Sequence, residues 1–332
     1  MPVTPATSWW LNHRDRRQYL GGVVCDPTEK APESYWNLWS GFGVKPAPGN
    51  WSLMREHIRK VIRAGNPKHD DYLMNWLARL FQHPEDRAEV AVVMRGGEGV
   101  GKGLLGRFVA KAFGQHGMQV SSAAHLVGNF NAHLRDLIVL FADEAFFAGD
   151  RQHEGRLKAL ITEETLTIEG KYQNVVNVRN MLHIIMASNA DWVIPASLKA
   201  RRWFMLDVAD TRQGDFAYFA AIVYQMENGG LVAMVHDLLH RDISNFNPRD
   251  VPKTDALVEQ QVHSLDSLHR WWLTILGRGF VYRSRHGVPS LCEWRNFYTT
   301  ELLWRSYLQW SDETRANRRQ TREDLGKFMN QA

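Results

Sequence analysis

The chain predicts an α/β protein: a parallel sheet flanked by helices, with a helical collar before it and a helical, partly winged-helix-like region after it. Three observations carry this. Four short runs, Val90 to Met94, Leu137 to Ala142, Met181 to Ala187 and Trp203 to Val208, are apolar almost throughout. Such runs read as strands buried on both faces, the habit of parallel sheets. Segments with helical spacing of apolar residues, such as Leu104 to Phe113 and Glu154 to Ile161, lie between them. The composition, 44% hydrophobic and 23% charged over 332 residues, is that of an ordinary globular chain with room for one large core and one or two satellites.

The elements follow in order. Residues 1–50 read as an irregular connector rich in Pro, Gly and Trp. Residues 51–85 read as the helical collar, because Leu73, Trp76, Leu77, Leu80 and Phe81 recur at helical spacing. Residues 86–210 hold the sheet, 211–275 a helical lid region, and 276–332 the C-terminal helical part. In the last, Glu301 to Trp310 is amphipathic, a basic run (Arg315, Arg318, Arg319, Arg322) follows, and Thr321-x-x-Asp324 reads as a helix start. Helix, basic turn and helix together suggest part of a DNA-binding module or a solvated charged face. The Trp residues cluster towards the two ends, at Trp9, Trp10, Trp36, Trp39, Trp51, Trp271, Trp272, Trp294, Trp304 and Trp310, and core packing is the expectation for most of them.

The most informative segment is Gly96-Gly97-Glu98-Gly99-Val100-Gly101-Lys102-Gly103, with Leu104 opening the next helix. It fits G-x-x-x-x-G-K between a strand and a helix, the context that makes this pattern a phosphate loop. Its glycines allow successive backbone N–H groups to face one anion, and the helix N-terminus adds its dipole. Lys102 is expected to reach the β- and γ-phosphates of a nucleotide. One position departs from the pattern: the hydroxyl that usually follows the Lys and binds Mg²⁺ is absent, because residue 103 is Gly.

The second apolar run ends in Asp143-Glu144. Carboxylates at a strand end fall where open α/β sheets place ligands. Asp143 is expected to hold Mg²⁺, directly or through water, and Glu144 to polarise an attacking water. The third run ends in Ser188-Asn189, and Asn189 is placed to orient that water. Arg201-Arg202 stands just before the fourth run, and either arginine can stabilise transition-state charge, often from a neighbouring subunit.

In this order the motifs resemble those of superfamily 3 helicases, the AAA+-like P-loop ATPases of small viruses, phages and plasmids. The resemblance is greatest to the helicase part of phage and plasmid primase–helicases, including the group related to deep-sea phage primase-polymerases. It covers about residues 35 to 275, with 86–210 as the ATPase core, and that phage branch often carries Gly after the Lys. The resemblance implies ATP and Mg²⁺ as cofactors and a hexameric ring translocating on single-stranded or forked DNA, with a primase or polymerase as partner. It also implies a hairpin facing the pore. Here Thr165 to Val178 has alternating Leu166/Ile168 and Val176/Val178 around a polar tip, with Lys171 to contact phosphate and Tyr172 to stack on a base. Asn37 to Val44 resembles the connector that joins primase to motor, although no catalytic acidic cluster or zinc ribbon precedes it. Two other readings stay open: a DNA-stimulated ATPase that loads or remodels DNA without processive unwinding, and a nucleotide-gated DNA-binding assembly.

Composition limits the alternatives. Net charge is +4, from 40 basic and 36 acidic residues, which permits a nucleic-acid partner without demanding one. Cys25 and Cys292 cannot form a CxxC site, and free thiols in a reducing cytoplasm are expected. No run of 18 apolar residues and no signal-peptide pattern is present, so the expectation is a cytoplasmic protein without a membrane partner.

Overall fold

The computed structural model describes residues 5–122, 131–144, 151–172, 174–197, 200–285, 288–293, 297–316 and 319–330. Trp294, Arg318 and the hairpin residue Gln173 lie outside these described residues. The chain divides into two compact units. The first comprises Met1–Ile194 and Ala200–Leu257, and the second Pro195–Lys199 and Val258–Ala332.

The first unit begins with helix α1 (Ala6–Leu11) and two short parallel strands, β1 (Gly22–Val24) and β2 (Tyr35–Asn37). Asn37 stitches this segment together, accepting from the Asp26 N–H at 2.9 Å and donating to the Asp26 carbonyl at 2.9 Å. Trp39 and Phe42 then pack on Phe113, which fastens the segment to the sheet's flank. Trp9, Trp10 and Trp36 remain exposed, so packing accounts for Trp39, Trp51 and Trp271 and not for the first tryptophans of the chain.

Helix α2 (Ser52–His57) runs through a wide turn, Ile58–Ile62, towards α3 (Pro67–Gln82). The start of α3 follows from chemistry: Asn66 Oδ1 accepts from the Lys68 and His69 N–H groups, and Pro67 occupies the first turn, where its missing N–H costs nothing. Leu73, Trp76, Leu77, Leu80 and Phe81 are all buried, as their spacing predicts. Each such side chain is worth about 1.5–3 kcal/mol of burial.

The sheet elements are β3 (Ala91–Arg95), α4 (Lys102–Ala112), β4 (Gly117–Val120), β5 (Val139–Asp143), α5 (Arg151–Thr162), the hairpin β6 (Thr165–Ile168) and β7 (Val176–Arg179), β8 (His183–Ser188) and β9 (Trp203–Asp207). Five of these strands form one parallel sheet in the order β4-β5-β8-β3-β9, flanked by helices. Val92, Val93, Leu140, Phe141, Ile184 and Phe204 are inaccessible or nearly so, which is why these runs carry no polar alternation. The order brings the carboxyl ends of β3, β8 and β5 side by side: Arg95 pairs with Ser188 and Asp143 with Ala187. Loops leaving those ends therefore meet at one crevice.

Beyond the sheet, α6 (Phe216–Gln225) is capped by Asp215, whose side chain accepts from the Tyr218 N–H at 3.1 Å. A turn with Gly229 at φ 101° leads into α7 (Leu231–Leu239), which packs on α3. Trp51 Nε1 donates to Asp237 at 2.7 Å, and Gln82 donates to the carbonyls of Leu238 and Arg241. Helix α8 (Asp255–Ser264) carries the chain to the second unit.

The second unit contains α9 (Ser267–Arg278), an antiparallel hairpin β10 (Phe280–Arg285) and β11 (Val288–Glu293), α10 (Thr300–Glu313) and α11 (Arg322–Met329). Its own core gathers Leu268, Trp271, Ile275, Leu303, Tyr307, Trp310 and Leu325. Tyr307 ties it together, its hydroxyl 2.7 Å from Ser267 Oγ and accepting the Gln320 N–H at 2.8 Å. Thr321 and Asp324 form a reciprocal capping box at the start of α11. The sequence predicts a helical, partly winged-helix-like region here without locating any strand, and the structure places the hairpin at 280–293. Its β-branched and aromatic residues lie close to a Gly at 287, a hairpin signal that the helical spacing around it masks. The basic run is partly neutralised, because Arg319 pairs with Asp312 and Arg322 with Glu301.

Candidate functional site

Strand β3 delivers the glycine-rich loop to the crevice. The Gly96 N–H closes onto the Ser188 carbonyl at 3.1 Å. Three loop carbonyls are then held from outside the loop. The Glu98 carbonyl accepts from Gln213 Nε2 at 2.9 Å and the Gly99 carbonyl from the Gly214 N–H at 3.3 Å. His57 Nε2 stands 3.2 Å from the Gly101 carbonyl. Within one planar peptide the C=O and the following N–H point opposite ways, so fixing these carbonyls outward turns amides towards the crevice. Gly99 and Gly101 sit at φ 71° and 84°, which glycine adopts at no steric cost.

His57 acts here as a brace. Facing a carbonyl, Nε2 must carry the proton, and Nδ1 is left to accept from the Tyr218 hydroxyl at 3.3 Å. Burial holds this imidazole below its ordinary pKa, in keeping with a neutral ring.

Helix α4 begins at Lys102, so its N-terminal dipole faces the same crevice. Lys102 is nearly buried; its ammonium donates to the Gly97 carbonyl at 3.1 Å and lies 3.2 Å from Glu144 Oε1. The other oxygen of Glu144 accepts the Asn189 N–H at 3.0 Å. Glu144 holds a left-handed backbone, φ 54°, with its N–H on the Ala187 carbonyl at 2.9 Å. That conformation costs a non-glycine residue about 1 kcal/mol or more and persists where surrounding bonds fix it. Asp143 is raised above the ordinary carboxylate pKa by burial first and by Glu144 second. Gln119, at the end of β4, donates to Asp143 Oδ2 at 3.1 Å. The resulting open cleft, about 300 Å³, is lined by Gly99, Gly101, Lys102, Leu104, Arg107 and Asp143, among others.

The structure thus brings together Gly96 to Leu104, Lys102, Asp143, Glu144 and the backbone of Asn189. It is the Asn189 N–H, and not its amide side chain, that touches Glu144. Arg201 and Arg202 do not join the cleft. They precede β9, at the opposite end of the sheet, where they line a small pocket with Arg87, Glu89 and Arg249. Lys171 and Tyr172 occupy the hairpin tip: Tyr172 is 95% exposed at φ 62°, and the Lys171 ammonium lies 5.2 Å from its ring centroid. Asn131 braces that hairpin, donating to the Thr167 carbonyl at 2.8 Å and accepting the Glu169 N–H at 2.7 Å.

Four residues of the site escape sequence reasoning: His57, Arg107, Gln119 and Gln213. None belongs to a local motif. Arg107 lies on α4, the helix that the loop itself opens, and the other three reach the loop or the cleft only through the sheet order or the packing of α2 and the segment leading into α6.

Fold and cleft define a mixed α/β protein with a parallel five-stranded sheet, whose strand ends gather a glycine-rich loop, one lysine and two carboxylates. Residues 94–202 match a family of unknown function, DUF5906. The chain is 31% identical over 198 residues to the DNA primase-polymerase of Nitratiruptor phage NrS-1, covering 57% of this chain and 27% of that protein. Among solved structures, the fold is similar to the apo C-terminal region of NrS-1, residues 305–718, with TM-score 0.63 at 21% identity over 77% of this chain and 67% of that one. An A-form apo structure of the NrS-1 C-terminal region gives TM-score 0.62 at 22% identity, covering 74% of this chain and 61% of that one. No helix among the described residues is long and apolar enough to cross a membrane.

Proposed function

We propose that this chain is an ATP-hydrolysing DNA motor of the superfamily 3 helicase kind, with an AAA+-like P-loop core, acting in phage or mobile-element replication. The single observation that carries the reading is the meeting of Lys102, Asp143 and Glu144 beside a glycine-rich loop whose carbonyls are tied back. An anion placed against that loop would meet the helix N-terminus and the Lys102 ammonium. Glu144 is placed to accept a proton from water, and the Asn189 backbone orients it. Displacement at phosphorus asks the protein mainly for positioning and charge stabilisation, which this arrangement supplies.

The residues present fit Mg²⁺. Asp143 offers one carboxylate beside the Lys102 end of α4, and Mg²⁺ typically takes one or two carboxylates while water and phosphate oxygens fill the rest of its shell. Among the described residues no group of three or more His, Cys, Asp or Glu could form a dedicated metal cage, which suits an ion that arrives with the nucleotide.

Arg201 and Arg202 lie at the far end of the sheet from Lys102, about 16 Å of strand away. In this reading they would serve a nucleotide held by a neighbouring copy in a hexameric ring. Lys171 and Tyr172 contact single-stranded DNA from the exposed hairpin tip. The similarity to a phage primase-polymerase supports a place in DNA replication, with a primase or polymerase activity as the natural partner. Strand displacement on forked DNA, with ATP and Mg²⁺, tests the reading; hydrolysis without displacement would favour a DNA-loading or remodelling ATPase. Gly103 favours one further alternative, nucleotide-gated DNA binding, which absence of hydrolysis in Mg²⁺ and Mn²⁺ would support.

A further inference from the structure

The cleft lacks the hydroxyl that usually follows the phosphate-loop lysine, and the space where it would sit is not filled by another side chain of the loop. A Cβ added at Gly103 would lie 3.6 and 3.7 Å from the two carboxylate oxygens of Asp143, ordinary contact with no clash. The Asp143 carboxylate therefore stands directly against the bare first turn of α4. Its approach is secured from the other side by Gln119, whose Nε2 donates to Oδ2 at 3.1 Å. Strand β4 lies beside β5 at the sheet edge, with Gln119 paired to Phe141 and Val120 to Ala142, so this amide is carried to the carboxylate by the backbone register. Both residues line the same cleft as Gly103 and Lys102.

We propose that Gln119 is the positioning residue that replaces the missing hydroxyl: it aims the Asp143 carboxylate at the space above Gly103, where a nucleotide-bound divalent cation would be held. The proposal rests on the nucleotide reading of the cleft. A carboxylate bonded on one oxygen keeps the other free and in a fixed direction for a cation, and outer partners of this type set metal affinity by about 10- to 100-fold. The same geometry explains why glycine is tolerated at 103. With Asp143 already pressed against that turn and held from β4, the site gains orientation from a neighbouring strand in place of a hydroxyl from the helix.

The test uses the full chain with Mn²⁺ and ADP. Mn²⁺ affinity in the presence of ADP is read by electron paramagnetic resonance, and ADP affinity is measured separately in EDTA. Gln119→Leu is expected to weaken Mn²⁺ by about tenfold or more while leaving ADP binding in EDTA unchanged. Gly103→Ser, which restores a hydroxyl where a Cβ fits, is expected to return Mn²⁺ affinity to the Gln119→Leu background. Gln119→Leu with wild-type Mn²⁺ affinity, or a double variant that stays weak while Gly103→Ser alone binds normally, would overturn the proposal. A wild-type protein that binds no ADP in either condition would overturn the nucleotide reading beneath it, a distinct outcome.

Discussion

The Glu144 carboxylate holds the Lys102 ammonium at 3.2 Å, although the two residues come from different strand ends, β5 and the loop after β3. The lysine of the glycine-rich loop is thus paired with the carboxylate proposed to act as general base. If the proposed function holds, a phosphate competes with Glu144 for Lys102 and in doing so releases Glu144 towards water. Glu144→Gln removes the competitor, so nucleotide binding by calorimetry should be as tight as wild type or tighter. Lys102→Ala should weaken it by about tenfold or more, the order expected for a lost charge-assisted contact. Equal loss in both variants would contradict this exchange.

Asp143 carries a pH signature. Its folded-state pKa lies above the ordinary 3.8, so the folded protein binds that proton more tightly than the unfolded chain does. The corresponding stability is fully present below the unfolded value and is lost as pH rises through the folded one. At pH 7.5 the ionised carboxylate is a net cost to the folded protein. Asp143→Asn should therefore raise the melting temperature at pH 7.5, with the gap to wild type closing as pH falls towards 4. A lower melting temperature at pH 7.5 would show that the carboxylate is stabilising instead.

Gly101 is where the loop tolerates no side chain. An added Cβ would come within 2.4 Å of Phe219 and 2.9 Å of His57, at φ 84°. Overpacking together with a left-handed non-glycine residue gives an expected loss of about 2–4 kcal/mol for Gly101→Ala. Denaturant unfolding measures it, and a change below about 0.5 kcal/mol would mean that α6 and His57 do not brace the loop.

Lys171 should couple the cleft to DNA without serving hydrolysis directly. Lys171→Ala is expected to keep basal ATP turnover, lose most of its stimulation by single-stranded DNA, and lower the salt slope of DNA binding by about one unit. Unchanged stimulation and unchanged salt slope would remove the hairpin tip from DNA contact.

Much of this arrangement is legible in the sequence, for identifiable reasons. The apolar runs have no amphipathic alternative, so β3, β5, β8 and β9 can be read directly, and the loop pattern fixes Lys102 relative to β3. Asp143 and Glu144 are legible because they end a buried strand. The sheet order is not local information, and Gln119 meets Asp143 only because β4 pairs with β5. His57 lies some forty residues before Gly101, and nothing in its own helix marks it as the group that holds a loop carbonyl. The strands of the β10–β11 hairpin are not located by the sequence, because helical spacing on both sides masks its β-branched residues. Trp9, Trp10 and Trp36 show that a large apolar side chain near a terminus need not be buried.

The most direct test of the central claim is the ATP hydrolysis rate with and without single-stranded DNA, measured side by side on the wild-type protein and Glu144→Gln. Hydrolysis that DNA stimulates, and that falls at least a hundredfold in the variant, is the predicted result. Absence of hydrolysis in the wild-type protein, with either Mg²⁺ or Mn²⁺, would contradict the motor and leave a cleft that binds nucleotide without turning it over.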